Sequence, residues 1–204
     1  MDIEIKNLSK VFGQDRIYKD FNITFKENTI SGLSGPSGIG KTTLLNFCAG
    51  LKQPDSGIIT GIDLKKLSYI FQEDRLLPWC TVLENLEFVL KEKDKQKAFE
   101  ILKMVNLEDY AGYYPNALSG GMQKRVSIAR AFCYPSETLL MDEPFGNLDQ
   151  VLKEHLMDVF LKLWKENQKT VIFVSHNREE LKKLCHTIYI FKDKPIKIEK
   201  IIQI

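Results

Sequence analysis

A glycine-rich loop at residues 35–42, with the sequence GPSGIGKT, constrains the fold of this chain more than any other feature. Residues 29–33 before it are typical of a short buried strand, and residues 41–49 continue as a helix. Glycines permit positive φ angles and expose backbone N–H groups to an anion at the positive end of a helix. The order of strand, loop and helix therefore predicts a phosphate site in an α/β fold. The alternative is a glycine turn that contains a lysine by chance.

Two side chains at the end of this loop have chemistry that suits a bound nucleotide. Lys41 can neutralise the β- and γ-phosphates, and Thr42 offers a hydroxyl to Mg²⁺. The loop alone leaves kinases, GTPases and helicases open as functional classes.

The first residues of the chain alternate between apolar and polar types. The alternation at 3–6 and again at 21–25 predicts strands of an antiparallel sheet with one solvated face. Residues 187–204 are typical of short strands. These segments frame the glycine loop with additional β-structure.

The middle and later parts of the chain alternate between strand and helix patterns. Residues 81–114 have a helical period that opens with a capping box from Thr81 to Glu84, which predicts a helical insertion. Buried strands are predicted at 138–141 and 170–175, and helices at 151–165 and at 178–185, the latter capped by Asn177. This alternation favours a core of parallel strands.

Composition restricts the possible partners. The chain has 204 residues, 44% of them hydrophobic and 27% charged, which fits one compact domain or one domain that carries a subdomain. A net charge of +2 does not favour nucleic acid as a partner. The sequence has no secretion signal and no apolar run near the roughly 20 residues of a membrane span, so a soluble intracellular protein is expected. The four cysteines are far apart and are expected to be buried thiols.

Polar residues follow three of the predicted strands. Asp142 and Glu143 follow strand 138–141, His176 comes just after strand 170–175, and Gln72 ends strand 67–71. Ligands of α/β proteins bind at the carboxyl edge of the sheet, so Asp142 is a candidate metal ligand and Glu143 a candidate general base, and His176 is expected at the same edge. In the alternative interpretation the acids cap the following helix and the histidine is structural or solvated.

A second small-residue turn, Ser119-Gly120-Gly121, precedes an amphipathic helix. The apolar face of this helix carries Met122, Val126, Ala129 and Cys133. Its first N–H groups offer a second anion site. An ordinary helix start is the plain alternative.

In this combination the sequence resembles the nucleotide-binding subunit of ATP-binding cassette (ABC) transporters over nearly the whole chain, from residue 12 to residue 176. The resemblance implies a single ABC ATPase domain over residues 1–204. Its fold is a P-loop NTPase core with an N-terminal antiparallel β subdomain and a helical subdomain inserted at about residues 73–134. ATP and Mg²⁺ are the implied cofactors.

The resemblance also implies a role for individual residues. Glu143 polarises the attacking water, and His176 contacts the γ-phosphate and holds that water. The implied metal contacts are Thr42, Gln72 and Asp142. Phe12 is expected to stack on adenine with Ile17 packed beside it, and Tyr18 is a possible substitute. The implied nucleotide-contacting residues are Phe12, Gly35, Pro36, Ser37, Gly38, Ile39, Gly40, Lys41, Thr42, Thr43, Ser119, Gly120, Gly121 and Asp149, with Glu143, His176, Lys41 and Gln72 catalytic.

The resemblance further implies an assembly of several subunits. Two ATPase subunits, identical or homologous, pack head to tail so that each ATP lies between the glycine loop of one and the Ser119 turn of the other. Asp149 couples the two sites, or else it merely caps the helix that follows. The remaining implied partners are integral membrane permease subunits and a solute-binding protein, and the location is cytoplasmic, peripheral on the inner face of the membrane. Residues 77–79 are where a coupling helix of the permease is expected to dock.

Residues 72–79 (QEDRLLPW) and Met122, which stands where the family usually has glutamine, are similar to the import ATPases for nitrate, sulfonates and taurine. Asn147 and Asn177 also depart from the family pattern and are expected to tune rate or subunit coupling. Three other classes stay open: an ABC-type ATPase without a transport role, an export-type ABC ATPase subunit, and a small-molecule kinase.

Overall fold

The computed structural model describes residues 1–90, 94–146 and 148–204. Asn147, one of the departures from the family pattern, lies outside the described residues. The strands are β1 (Ile3–Phe12), β2 (Asp15–Phe25), β3 (Ile30–Ser34), β4 (Ser56–Thr60), β5 (Leu67–Ile70), β6 (Thr138–Asp142), β7 (Thr170–Val174), β8 (Thr187–Lys192) and β9 (Lys197–Gln203). The helices are α1 (Lys41–Cys48), α2 (Val82–Glu87), α3 (Lys95–Met104), α4 (Gly120–Cys133), α5 (Gln150–Glu166) and α6 (Arg178–Leu184).

The chain divides into two compact units. The first comprises Met1–Tyr69, Glu137–Glu143 and Gln168–Ile204, and the second comprises Ile70–Ser136 and Pro144–Asn167. The first unit contains both sheets, and the second contains α2 to α5.

The N-terminal strands form the predicted antiparallel sheet. Its order is β2-β1-β4, and Ile3 pairs with Phe25 at one end of the first ladder. Alternate residues of β2 are buried near its end, which is the one-sided burial that the alternating sequence predicts. The third strand, β4, was not predicted, because its residues are mostly exposed and show no clear apolar period.

The second sheet has six strands in the order β5-β6-β7-β3-β8-β9. The pairs β6–β7, β7–β3 and β3–β8 are parallel, and the β8–β9 pair is antiparallel. Every residue of β6 and β7 is buried, as expected for parallel strands covered on both faces. The predicted α/β core with parallel strands is therefore confirmed.

The carboxyl ends of the three central strands are level with one another. Leu33 of β3 is paired with Val174 of β7, and Val174 is paired with Asp142 of β6. The backbone N–H of Ser175 then donates to the carbonyl of Leu33 at 3.3 Å, and that of Glu143 donates to the carbonyl of Val174 at 3.0 Å. The segments that leave these three strands therefore begin at one edge of the sheet.

A core of aliphatic and aromatic side chains lies between the two sheets of the first unit. Tyr18, Phe21 and Phe47 make edge-to-face ring contacts with centroids 5.3 and 6.0 Å apart, and Phe21 contacts Phe191 at 5.6 Å. Burial of such rings contributes most to core energetics per residue. The strands that carry the site are therefore packed on a well-filled interior.

The first helix of the second unit, α2, starts at the predicted capping box. The Thr81 hydroxyl accepts a hydrogen bond from the Glu84 N–H, and the Glu84 carboxylate accepts one from the Thr81 N–H. The helical period predicted from residue 81 corresponds to two separate helices, because α2 ends at Glu87 and α3 begins after a new N-cap, Asp94. Two short 3₁₀ turns, Glu108–Tyr110 and Pro115–Ala117, follow α3 along the chain.

Three of the four cysteines are buried as expected, and Cys80 is only half-buried. Burial raises the pKa of the Cys48 and Cys185 thiols to about 12, so both are neutral core residues.

Among the described residues, no helix is long and apolar enough to span a bilayer.

Candidate functional site

The glycine loop between β3 and α1 requires glycine at two of its turns. Gly35 and Gly40 have φ angles of 147° and 127°. A Cβ atom on Gly40 would lie 2.7 Å from Cγ2 of Ile17 and 2.8 Å from Cδ1 of Ile196, and one on Gly35 would lie 2.6 Å from the carbonyl oxygen of Phe191. The loop is thus held tightly against the first unit, and its shape depends on the missing side chains.

The start of α1 presents its backbone N–H groups at the surface. Its N-cap is Gly40, and among the described residues no side chain caps it and no acid lies in its first turn. Gly38, with a φ of 68°, has open space where its Cβ would be. Pro36, Ser37, Gly38 and Thr42 are exposed, whereas the side chain of Ile39 is buried and leaves only its backbone available. This geometry fits a phosphate group, which needs exposed N–H donors at a helix N-terminus.

Lys41 directs its ammonium group at this loop. Its Nζ lies 2.8 Å from each of the carbonyl oxygens of Gly35 and Pro36, and the residue is 6% exposed. Burial lowers the pKa of Lys41, while the carboxylates of Glu143 and Asp142 act in the opposite direction. A cation in this partly desolvated position interacts more strongly with a phosphate than a fully solvated lysine does.

The two carboxylates have different environments. Asp142 is the last residue of β6 and is buried, and Glu143 is the next residue, with its side chain 27% exposed. Glu143 has a φ of 47°, an uncommon conformation for a residue with a side chain. Its Oε1 lies 3.3 Å from Nδ1 of His176, whose side chain is 68% exposed. Glu143 and His176, each a predicted candidate, are therefore in direct contact at the surface, an arrangement that can orient and polarise a water molecule.

Two buried residues hold the segment on either side of His176. The Ser175 hydroxyl donates to Oε2 of Glu180 at 2.6 Å and accepts from the Asn177 N–H at 3.0 Å. Asn177 also caps α6 by accepting from the N–H groups of Glu179 and Glu180. Sequence reasoning found the cap but missed Ser175 and Glu180. The signal was a glutamate in the first turn of α6 with a hydroxyl just before the helix.

The two aromatic residues considered for adenine stacking differ in exposure: Phe12 is exposed and Tyr18 is buried. Phe12 ends β1 and is 41% exposed, with Nζ of Lys10 and of Lys52 5.3 and 5.4 Å from its ring centroid. The suggestion that Tyr18 could stack on adenine instead is wrong, because its ring is fully buried and its hydroxyl donates to the Gly40 carbonyl at 3.0 Å. Ile17 is buried beside Gly40. Tyr18 and Ile17 thus support the glycine loop from within the core.

The second unit contains the remaining candidates. Gln72 is exposed and follows β5, and its backbone carbonyl accepts a hydrogen bond from Nζ of Lys124 at 2.8 Å. Sequence reasoning missed Lys124 because a lysine on a helix is usually a solvated residue.

The Ser119 turn and Asp149 start two helices of this unit. The Ser119 hydroxyl accepts from the Met122 N–H at 3.3 Å, and Ser119 and Gly120 are exposed. Asp149 caps α5 by accepting from the Leu152 N–H at 2.9 Å. A Cβ on Gly121 would be 3.4 Å from Leu152, so the two helix starts are neighbours. Both caps match the plain alternatives, and both leave surface N–H groups for an anion.

A family model described as ABC transporter matches residues 18–146 of the chain. The chain belongs to the ABC transporter family. This ABC ATPase is 40% identical over its whole length to an aliphatic sulfonates import ATP-binding protein of Bacillus cereus, of which it covers 86%. It is 38% identical to an uncharacterized ABC transporter ATP-binding protein of Methanocaldococcus jannaschii, with 99% of the chain and 82% of the relative covered.

Solved structures support the same assignment. A dimeric structure of MJ0796, a bacterial ABC transporter cassette, matches with a TM-score of 0.86, 32% identity and 98% coverage of both chains. A second dimeric structure of that cassette, in a post-hydrolysis state bound to ADP and Pi, matches equally well at 31% identity. The predicted ABC ATPase fold is confirmed, as is the similarity to sulfonate import ATPases. The chain is an ATP-binding ABC ATPase.

Proposed function

We propose that this ABC ATPase energises the import of a small solute through permease subunits on separate chains, with a solute-binding protein outside the membrane. The full-length identity of 40% to an aliphatic sulfonates import ATP-binding protein is the observation that carries the proposal. The import-type sequence at residues 72–79 and Met122 support it. The subunit then lies in the cytoplasm on the inner face of the membrane.

Each candidate site residue of the first unit has a defined role in this proposal. The glycine loop and Lys41 bind the phosphates of ATP, and Phe12 stacks on adenine. Thr42 and Asp142 hold Mg²⁺, a cation that prefers oxygen ligands and neutralises the phosphates. Glu143 polarises the attacking water, and His176 holds that water and contacts the γ-phosphate.

Other residues complete the site according to the family pattern. Gln72 contacts Mg²⁺ and the water, and the Ser119 turn and Asp149 meet the nucleotide of a second copy. The proposed organisation is one ABC ATPase domain over residues 1–204, with a helical subdomain at about residues 73–134.

A dimer with two nucleotides follows from the presence of two anion sites on one chain. The glycine loop and the Ser119 turn each start a helix with exposed N–H groups. In a head-to-tail dimer each ATP contacts the loop of one copy and the turn of the other. The dimeric cassette structures provide a precedent for two copies.

The ATPase part of the proposal is tested with Glu143→Gln, which keeps the shape of the side chain but removes the carboxylate. With MgATP we expect a stable dimer on size-exclusion chromatography and turnover reduced by about 100-fold or more. The matched control, Glu166→Gln, changes an exposed glutamate at the end of α5 and should behave like the unchanged protein. A Glu143→Gln variant that stays monomeric with MgATP contradicts the proposed dimer.

The transport part needs a separate experiment. Cells that lack this chain should lose uptake of a labelled alkanesulfonate, and its return should require a copy with Glu143 intact. A membrane permease should co-purify with the chain. Nucleic-acid-stimulated hydrolysis without a permease would instead favour a non-transport ATPase, and accelerated solute efflux would favour an exporter.

A further inference from the structure

Lys124 is a buried cation on the helix that begins at the Ser119 turn. It is the fifth residue of α4 and is 5% exposed. Its Nζ donates to the carbonyl oxygens of Phe71 and Gln72 at 3.2 and 2.8 Å, and lies 3.2 Å from Oδ1 of Asp74. A buried ammonium needs such acceptors because its desolvation is costly.

The rest of the segment after β5 is tied to the same helix bundle. Arg130, also on α4, donates to the carbonyl of Arg75 at 2.9 Å and to Oδ1 of Asn85 at 3.3 Å. Asn85 is fully buried on α2 and accepts from the Leu77 N–H at 2.8 Å. It also donates to the carbonyl of Leu77 at 3.1 Å. Residues 71–77 are thereby fixed to α4 at several points along the segment.

A helix transmits displacement well because each turn is hydrogen-bonded to the next. Ser119 caps α4, and Lys124 is five residues further along, about 7.5 Å at 1.5 Å per residue. A displacement of the Ser119 turn along the helix therefore also displaces Lys124, which belongs to the same helix. The ammonium in turn holds the backbone of Gln72 directly.

We propose that Lys124 is a positioning residue that makes the Ser119 turn and Gln72 move together. Nucleotide bound at the turn of one copy then sets the position of Gln72 in that same copy. This inference rests on the proposed function, in which the turn contacts the ATP of the partner and Gln72 contacts the metal and water of its own. Lys124 thus links the two sites of the dimer through one helix.

Steady-state kinetics separate this role from nucleotide binding. Lys124→Met keeps the chain length but removes the donors, so the carbonyls of Phe71 and Gln72 lose their partner. We expect kcat to fall about tenfold with KM for ATP nearly unchanged, and Lys124→Arg to restore a large part of the rate. The matched control is Lys97→Met, an exposed lysine on α3, which should keep the original kcat.

Hydrogen exchange measures the coupling itself. In the Glu143→Gln background, MgATP should slow exchange at residues 119–123 and at 71–77. With Lys124→Met added, protection should persist at 119–123 and be lost at 71–77. Equal protection of 71–77 with and without Lys124, or an unchanged kcat, overturns the proposal.

A second variant keeps the test decisive if Lys124→Met does not fold. Lys124→Gln keeps a polar side chain, but its amide ends one atom short of the Nζ position and has no charge, so the hydrogen bonds to the two carbonyls are weakened. It should reduce protection of 71–77 and kcat in the same direction as Lys124→Met, and unchanged values for both overturn the proposal. If Glu143→Gln fails to dimerise and the unchanged chain fails to hydrolyse ATP, the proposed function fails. If both succeed and Lys124→Met matches the unchanged protein, only the coupling role fails.

Discussion

The Nδ1 atom of His176 lies 3.3 Å from the Oε1 atom of Glu143. The contact results from strand register, because Asp142 and Val174 are paired and the two residues leave adjacent parallel strands at the same edge. Glu143 is further fixed by the hydrogen bond from its N–H to the Val174 carbonyl and by its left-handed backbone. An acid and an imidazole that meet in this way can share control of one water molecule.

His176→Ala should therefore impair hydrolysis much more than ATP binding. We expect kcat to fall about 100-fold, a usual size for loss of one acid–base group, with KM changed little. His155→Ala, which removes a histidine of α5 that contacts Asn106, is the matched control. Steady-state ATPase assays and nucleotide titration measure the two effects. A kcat close to that of the control contradicts the role of His176.

The two glycines of the loop should differ in their tolerance of alanine. Gly40→Ala adds a Cβ within 2.8 Å of Ile17 and Ile196 at a φ of 127°, so the core beneath must shift. Gly38→Ala meets no atom within 4 Å and incurs only backbone strain, about 1 kcal/mol. Chemical denaturation should show the larger loss of unfolding free energy for Gly40→Ala. Equal losses in the two variants would show that the packing contact does not matter.

Ser175→Ala should lower kcat through the position of His176. The change removes a hydrogen bond to the buried Glu180 and leaves the Asn177 N–H without its acceptor, at a cost of about 1–3 kcal/mol in unfolding free energy. Asn177→Ala is the comparison, because it loses the cap of α6 at a cost of about 1 kcal/mol. Ser175→Thr should recover most of the kcat. If the two alanine variants lose kcat only in proportion to their stability, Ser175 has no positioning role.

Phe12→Ala should weaken ATP binding and leave the chemical step intact. Stacking of a base on an aromatic ring contributes on the order of 1–3 kcal/mol, so KM for ATP should rise about tenfold. Phe12→Tyr keeps the ring and should retain the original KM. Val11→Ala, at the exposed neighbouring residue, is the control. An unchanged KM for Phe12→Ala would remove the residue from the adenine site.

The sequence predicted the strands, loop and helix that carry the candidate site of the first unit, because this part of the fold is local in sequence. A strand, a glycine loop and a helix follow one another directly, and parallel strands of similar length bring Asp142, Glu143 and His176 to one edge. Each of these features depends on a few consecutive residues and on the rule that strand ends meet at an edge. The sequence therefore predicted that His176 and the acidic pair share one sheet edge, and the contact between Glu143 and His176 is seen only in the structure.

Long-range contacts were beyond the reach of sequence patterns. The sequence favoured Phe12 but left Tyr18 open as a substitute, and only the structure shows that the ring of Phe12 is exposed and that of Tyr18 is buried. The helical period of residues 81–114 does not reveal that a second N-cap at Asp94 starts a separate helix. Lys124 resembles a surface lysine until its acceptors, the carbonyls of Phe71 and Gln72, are seen in space.

The most direct test of whether two copies share each ATP mixes two inactive variants. Lys41→Ala removes the phosphate cation of the glycine loop, and Ser119→Arg blocks the turn. In a head-to-tail dimer that contains one copy of each, one site receives both changes and the other receives an intact Lys41 and an intact Ser119. We expect ATPase activity to return on mixing to roughly a quarter of the unchanged value, since about half of random dimers are mixed and each has one intact site. If the mixture stays as inactive as the separate variants, two copies do not share each ATP.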